Sequence, residues 1–216
     1  MDIKMKKLYA ILLIIALMAL GVTGCGATNN AGSSSSENNS GSRVSDGDLL
    51  TGKHHVEINI KDYGTIKAEL DADVAPITVT NFVKLAEDGF YDGLTFHRII
   101  PGFMIQGGDP KGNGTGGSEE EIKGEFSANG VENNISHVRG TISMARAQGM
   151  DSASSQFFIM HEDGTYLDGE YAGFGHVTEG IAIVDKICED TPVADKAQGT
   201  VKPADQPKIE SIKVVD

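Results

Sequence analysis

Apolar and polar residues alternate in HHVEINI (54–60) and again in TIKAEL (65–70), and KDYG (61–64) separates them. Alternation around a short turn predicts a β-hairpin with one buried face. The period then changes. In APITVTNFVKLAEDGF (75–90), Val79, Phe82, Val83 and Ala86 fall at i, i+3, i+4 and i+7, the stripe of an amphipathic helix. Pro76 suits its first turn and Gly89 its C-terminal end. Five short strand-like runs follow: LTFHRII, FMIQGG, TISMARA, QFFIMH and AGFGHV. EGIAIVDKICE (179–189) reads as a second helix and KIESIKVVD (208–216) as a closing strand. Many short strands, glycine-rich turns and two separated helices predict a closed β-barrel with helices over its ends.

The N-terminal pattern belongs to no fold. Lys4, Lys6 and Lys7 precede a 15-residue apolar run (8–22), long enough for a signal-peptide core and short for a membrane span. The run ends in V-T-G-C, which resembles a bacterial lipobox. On that reading residues 1–24 are removed and Cys25 is acylated; the alternative is an ordinary secretory cleavage site with Cys25 incidental. Residues 26–48 carry seven serines and almost nothing apolar. With their flanks they form an expected tether over 25–51, with a typical reach of roughly 25–30 Å, ahead of a domain at 52–216.

Charge narrows the partners. The chain of 216 residues has 18 basic and 31 acidic side chains, and loss of residues 1–24 removes three Lys and one Asp, leaving a net charge of −15. Such a surface argues against nucleic acid and against electrostatic adhesion to anionic lipid. Attachment to the extracytoplasmic face of the cell membrane would then fall to the acyl chains on Cys25. With Cys25 acylated, Cys188 has no disulfide partner, and its apolar-periodic setting reads as a small buried hydrophobe.

Several chemistries can be set aside. GNGTGG (112–117) fits the dinucleotide pattern G-x-G-x-x-G, but Glu119, Glu120 and Glu121 follow it where a pyrophosphate would need a helix N-terminus. It reads as a loop. The six histidines are dispersed, and DGTYLDGE, with Asp163 and Asp168, lacks the ligand alternation of a calcium loop. No metal or cofactor is expected. There is no G-x-S-x-G elbow.

What remains is FHRIIPGFMIQGGDP (96–110), then GTISMARA, SQFFI and YLDGEYAGFG, in that order. These segments resemble the cyclophilin family of peptidyl-prolyl cis-trans isomerases, over roughly residues 53–216. The resemblance implies an eight-stranded antiparallel closed barrel capped by two α-helices; the tether and single domain suggest a monomer. It implies a catalytic role for Arg98, with Gln106 and Phe103 beside it. Met104 and Phe158 would line the proline pocket with Phe103, and Leu167 would close its side. Gln156 would lie near the substrate backbone, and Ala145 and Arg146 would flank the bound peptide. Tyr166 stands where many eukaryotic members carry tryptophan, Tyr171 where they carry histidine, and Arg146 where they carry asparagine. The chain has no tryptophan, and SMARAQGMDSASSQFF is one residue longer than the usual eukaryotic spacing, so it looks like a bacterial-type member.

The implied reaction needs no cofactor. An X-Pro amide rotates slowly because resonance sets a barrier of about 18–20 kcal/mol. A guanidinium aimed at the pyramidalising prolyl nitrogen favours the twisted state over both planar ones. The expected substrates are proline-containing, unfolded or partly folded exported polypeptides; a binding module with little turnover is the alternative. Taken singly, Arg98 would be a rim residue paired with a carboxylate, and Phe103, Met104 and Phe158 would be core. His97 reads as structural.

Overall fold

The computed structural model describes residues 49–216. The expected leader, Cys25 and nearly all of the expected tether lie outside the described residues. β1 (Lys53–Ile60) and β2 (Gly64–Asp71) form the expected hairpin, with Val56 opposite Ala68 and Ile58 opposite Ile66. Val56, Ile58, Ile60, Ile66, Ala68 and Leu70 are all buried, so the alternation dictates which face turns inward. Asp62 makes the reversal with φ 66°, a left-handed conformation that Asp tolerates better than most residues.

α1 (Pro76–Glu87) has Pro76 in its first turn and buries Val79, Phe82, Val83 and Ala86, the stripe read from the sequence. The Phe82 ring centres an aromatic cluster, with centroids 5.0 Å from Tyr91, 5.1 Å from Phe174 and 5.3 Å from Phe157. Its N-cap residue is Ala75, which has no side chain to satisfy the first N–H groups. Glu125, almost fully buried and 48 residues beyond Ile77, supplies what is missing. Its carboxylate accepts from the N–H of Ile77 at 3.0 Å, and from the N–H and hydroxyl of Thr78, each at 2.7 Å.

The remaining strands are β3 (Phe96–Ile100), β4 (Met104–Gly107), β5 (Thr141–Met144), β6 (Phe157–Met160), β7 (Gly173–Glu179), β8 (Val193–Asp195), β9 (Thr200–Val201) and β10 (Ile209–Val214). α2 (Ile181–Asp190) lies between β7 and β8 and turns Val184, Ile187 and Cys188 inward. Burial raises the Cys188 thiol to about 12, so it is an inert apolar group.

One antiparallel sheet joins all ten strands in the order β10-β1-β2-β7-β5-β6-β4-β3-β9-β8. This corrects the closed eight-stranded barrel. The eight strands expected from the pattern are present, but β3 and β10 share no ladder. They meet only at one corner, where Thr95 bridges Lys208, Phe96 N–H donates to Pro207 O and Ile209 N–H donates to Leu94 O. β8 and β9 extend the sheet beyond β3. They were missed because two or three residues are too few to establish a period.

Because Ala75 cannot cap α1, Glu125 should carry its start. We expect Glu125→Ala to lower stability by about 2–3 kcal/mol, the cost of orphaning two helix N–H groups and a buried hydroxyl. Glu125→Gln, which keeps one acceptor oxygen, should recover about half of this. Urea unfolding of the three proteins measures it, and equal midpoints would show that the helix start is satisfied otherwise.

Candidate active site

The site is built on the face of β3, β4 and β6 that turns away from the main core. Ile99, Ile105, Phe157 and Ile159 face that core. Their neighbours Arg98, Met104, Gln106, Phe158 and Met160 face the other way, as strand alternation requires. In register, Arg98 lies opposite Gln106, Gln106 opposite Phe158, and Met104 opposite Met160. One irregularity sets the phase. Phe96 is a core residue, so strict alternation would send Arg98 into the core with it. A register shift between Phe96 and Arg98 inserts His97 as an extra residue and turns Arg98 outward.

Arg98 is half-buried, and among the described residues it pairs with no carboxylate. Its Nε donates to Gln198 O at 2.9 Å, in the turn between β8 and β9, and its Nη1 donates to Gln106 Oε1 at 3.1 Å. Gln106 Nε2 donates in turn to Gln156 Oε1 at 2.9 Å. Gln156 Nε2 donates to the carbonyls of Gly116 at 2.7 Å and Gly114 at 3.3 Å. The single-residue reading of Arg98 as half of an ion pair is therefore corrected. Burial draws its pKa below the ordinary guanidinium value, and only neutral oxygens hold it.

Beside this relay lies a second apolar cluster, separate from the main core. It comprises Phe103, Met104, Phe158, Met160 and Leu167, with Ala145, Tyr166 and Tyr171 packed against it. Phe103 stacks with Tyr166, centroids 5.9 Å apart, and Phe158 meets Tyr171 edge-on at 6.0 Å. A groove of about 850 Å3 opens over both relay and cluster. It is lined by Arg98, Phe103, Met104, Gln106, Ala145, Arg146, Gln156, Phe158, Leu167 and Tyr171, so ten sequence-selected residues converge on it. Tyr166 stands behind Phe103 and does not line it.

Arg146 is more constrained than its place beside the groove suggested. Its guanidinium lies 5.0 Å from the Phe126 ring centroid and 4.9 Å from that of Tyr171, and Nε and Nη2 both donate to Glu170 O at 3.1 Å. It ties the segment after β5 to the segment before β7. Asp168, read as turn chemistry, reaches further than its own turn. It accepts from the Ser136 hydroxyl at 2.7 Å and the His137 N–H at 2.8 Å, and it meets His137 Nδ1 at 2.9 Å. The His137 ring lies under Phe158, centroids 6.0 Å apart, and its Nε2 meets Ser143 Oγ at 2.9 Å.

Four participants escaped the sequence reading. Met160 follows Phe158 by two residues, so alternation alone could have placed it. Gln198 and the Gly114 and Gly116 carbonyls gave no signal, because a backbone oxygen has no residue type.

Comparison with known proteins identifies the family. Residues 55–214 match the family model described as cyclophilin type peptidyl-prolyl cis-trans isomerase/CLD. The chain is 51% identical over 122 residues to peptidyl-prolyl cis-trans isomerase B of Bacillus subtilis, covering 56% of this chain and 82% of that one. It is 52% identical over 116 residues to a peptidyl-prolyl cis-trans isomerase of Synechococcus elongatus, covering 54% and 75%. A crystal structure of a Cryptosporidium parvum cyclophilin type isomerase, determined in the presence of the dipeptide Ala-Pro, superposes with TM-score 0.65 at 32% identity, covering 75% of this chain and 99% of that one. The chain belongs to the cyclophilin-type peptidyl-prolyl cis-trans isomerases, enzymes that interconvert X-Pro amides.

His97 offers a check on the site's electrostatics. It is 4% exposed, and neither ring nitrogen has a partner among the described residues. Burial lowers its pKa to about 4 from 6.5, against a smaller upward pull from Asp109. Between these values the unfolded chain binds a proton that the folded protein refuses. Stability should therefore fall as pH drops from 6.5 to 4, by up to about 3 kcal/mol from this residue. The difference in unfolding free energy between the native protein and His97→Leu, followed over that window, measures it. A constant difference would mean that the folded protein protonates His97 as readily as the unfolded chain does.

Proposed function

We propose that Arg98 is the group that accelerates isomerisation, with Gln106 and Phe103 as its closest helpers. The observation that carries this reading is a half-buried guanidinium, bonded only to neutral oxygens, at the edge of an apolar pocket. A carboxylate partner would cancel the positive field where the prolyl nitrogen regains its lone pair. Amide and carbonyl acceptors hold the group in place and leave its charge available. Phe103, Met104, Phe158 and Leu167 would clamp the pyrrolidine ring by apolar burial while the acyl side rotates. The low polarity of that floor strengthens a hydrogen bond from Arg98 to the twisted amide more than to the planar one. Gln156 and Ala145 would meet the substrate backbone. Arg146 and Tyr171, which line the groove, would flank the bound peptide, and Tyr166 would brace Phe103 from behind.

The same reading places the enzyme outside the cytoplasmic membrane, as a monomer held by acyl groups on Cys25 and acting on exported chains that contain proline. Its support is the charged n-region, the 15-residue apolar run and the V-T-G-C ending. The acidic surface favours acylation over charge as the means of attachment.

Arg98→Ala should lower kcat/KM for cis-to-trans conversion of a proline peptide roughly 10²–10³-fold, with the unfolding transition preserved. An active, folded variant would remove Arg98 from the reaction. Separately, Cys25→Ser should abolish incorporation of labelled palmitate and move the protein out of the membrane fraction. Tight retention of the unacylated variant would point to an uncleaved N-terminal helix.

A further inference from the structure

The stretch GNGTGG has the pattern of an anion cradle, and in the fold its N–H groups do surround an anion: a carboxylate of the same chain. Asp109 is 1% exposed. Its Oδ1 accepts from Lys111 N–H at 2.8 Å, and its Oδ2 accepts from the N–H of Asn113 at 3.0 Å and Gly114 at 2.6 Å. Burial by itself would push this carboxyl up, but N–H groups of Lys111, Asn113, Gly114 and Gly116 more than offset it and leave it below the ordinary carboxylate value. The loop can close this tightly only without a side chain at Gly116, where a Cβ would collide with Asp109 Oδ1. Gly112 and Gly114 take φ of +60° and +88°, the left-handed region that favours glycine.

A loop that spends its N–H groups inward on Asp109 has carbonyls left to offer elsewhere, and those of Gly114 and Gly116 receive Gln156 Nε2. This fixes the polarity of the relay. An amide has one donating and one accepting end. Because the loop carbonyls take the donating end of Gln156, its oxygen must face Gln106. Gln106 must then present its nitrogen to Gln156 and its oxygen to Arg98. Turned the other way, Gln156 would set oxygen against the Gly116 carbonyl and nitrogen against nitrogen at Gln106.

We propose that Asp109 is a positioning residue for the isomerase reaction: by gathering the glycine loop it sets the orientation of the two glutamine amides and thereby the aim of Arg98. The inference rests on the role given to Arg98 above. Asp109 touches no part of the pocket floor; it acts through the loop and Gln156.

A double-mutant cycle on the purified full chain tests this, with rates taken well below the unfolding temperature. Asp109→Asn replaces one acceptor oxygen by a donor that faces backbone donors. It should lower kcat/KM roughly ten-fold, mainly through kcat, since the pocket floor is untouched. In the background of Gln156→Met, which cannot relay, the same change should cost less than about two-fold. Gly116→Ala displaces the carboxylate without removing it and should show the same dependence on Gln156. A ten-fold loss that persists in the Gln156→Met background would overturn the inference, because the loop would then act by another route. So would failure of both loop variants to fold, which would make the loop purely structural. If Arg98→Ala is inactive while Asp109→Asn is fully active, this inference alone falls. If Arg98→Ala is active, the role of Arg98 falls and takes this one with it.

Discussion

A half-buried positive charge without a counter-ion is costly, and the structure around Arg98 is arranged to hold one. The guanidinium donates to a backbone carbonyl at Gln198 and a side-chain amide at Gln106. Neither acceptor carries charge, so the group is satisfied without being neutralised. That solution draws on three separate parts of the chain. The turn between β8 and β9 brings residue 198 to residue 98, β4 supplies Gln106, and the glycine loop anchors Gln156 behind it. The curvature that lets β3 touch both β9 and the corner of β10 is therefore a requirement of the site as well as of the core.

The sheet separates the main core from the groove by residue parity. Alternate residues of β3, β4 and β6 fill either the main core around Phe82 or the smaller cluster under the groove. The shift at His97 is the one place where this parity is reset, and it is what puts Arg98 on the groove side. The cluster under the groove is itself braced. Phe158 rests on the His137 ring, whose nitrogens are held by Asp168 and Ser143, and Tyr166 stacks behind Phe103. A pocket wall of aromatic rings keeps its shape only if the rings cannot turn away, and these contacts restrict them.

The chain is strongly acidic, and two of its carboxylates are used inside the protein rather than on its surface. Glu125 caps a helix that has no cap of its own, and Asp109 gathers a loop too rich in glycine to order itself. In both, a buried anion is stabilised by backbone N–H groups that would otherwise lack partners. Neither site needs a cation. The same economy explains why GNGTGG resembles a phosphate loop: its N–H groups converge on an anion supplied three residues upstream.

Much of this was legible in the sequence. Period-2 alternation identified the two hairpin strands, short apolar runs the other six, and apolar periodicity both helices, because burial of one face is a local property of the residues that make it. The residues that line the groove could be named because their segments resemble one family in sequence and order. Their mutual arrangement was less accessible. Arg98 looked like half of an ion pair, since nothing in residues 96–110 reveals that a carbonyl 100 residues away will accept its Nε. The strands β8 and β9 were too short to signal, yet they deliver that carbonyl. GNGTGG could be rejected as a nucleotide site from the three glutamates after it, but its partner Asp109 was indistinguishable from any turn aspartate. The sequence by itself determined which residues are apolar, which alternate and which are charged, and from these the strands and helices; the resemblance of its ordered segments implied the family. Tertiary structure alone decided where Arg98 points and what holds it there, because backbone oxygens and long-range hydrogen bonds leave no mark on residue type.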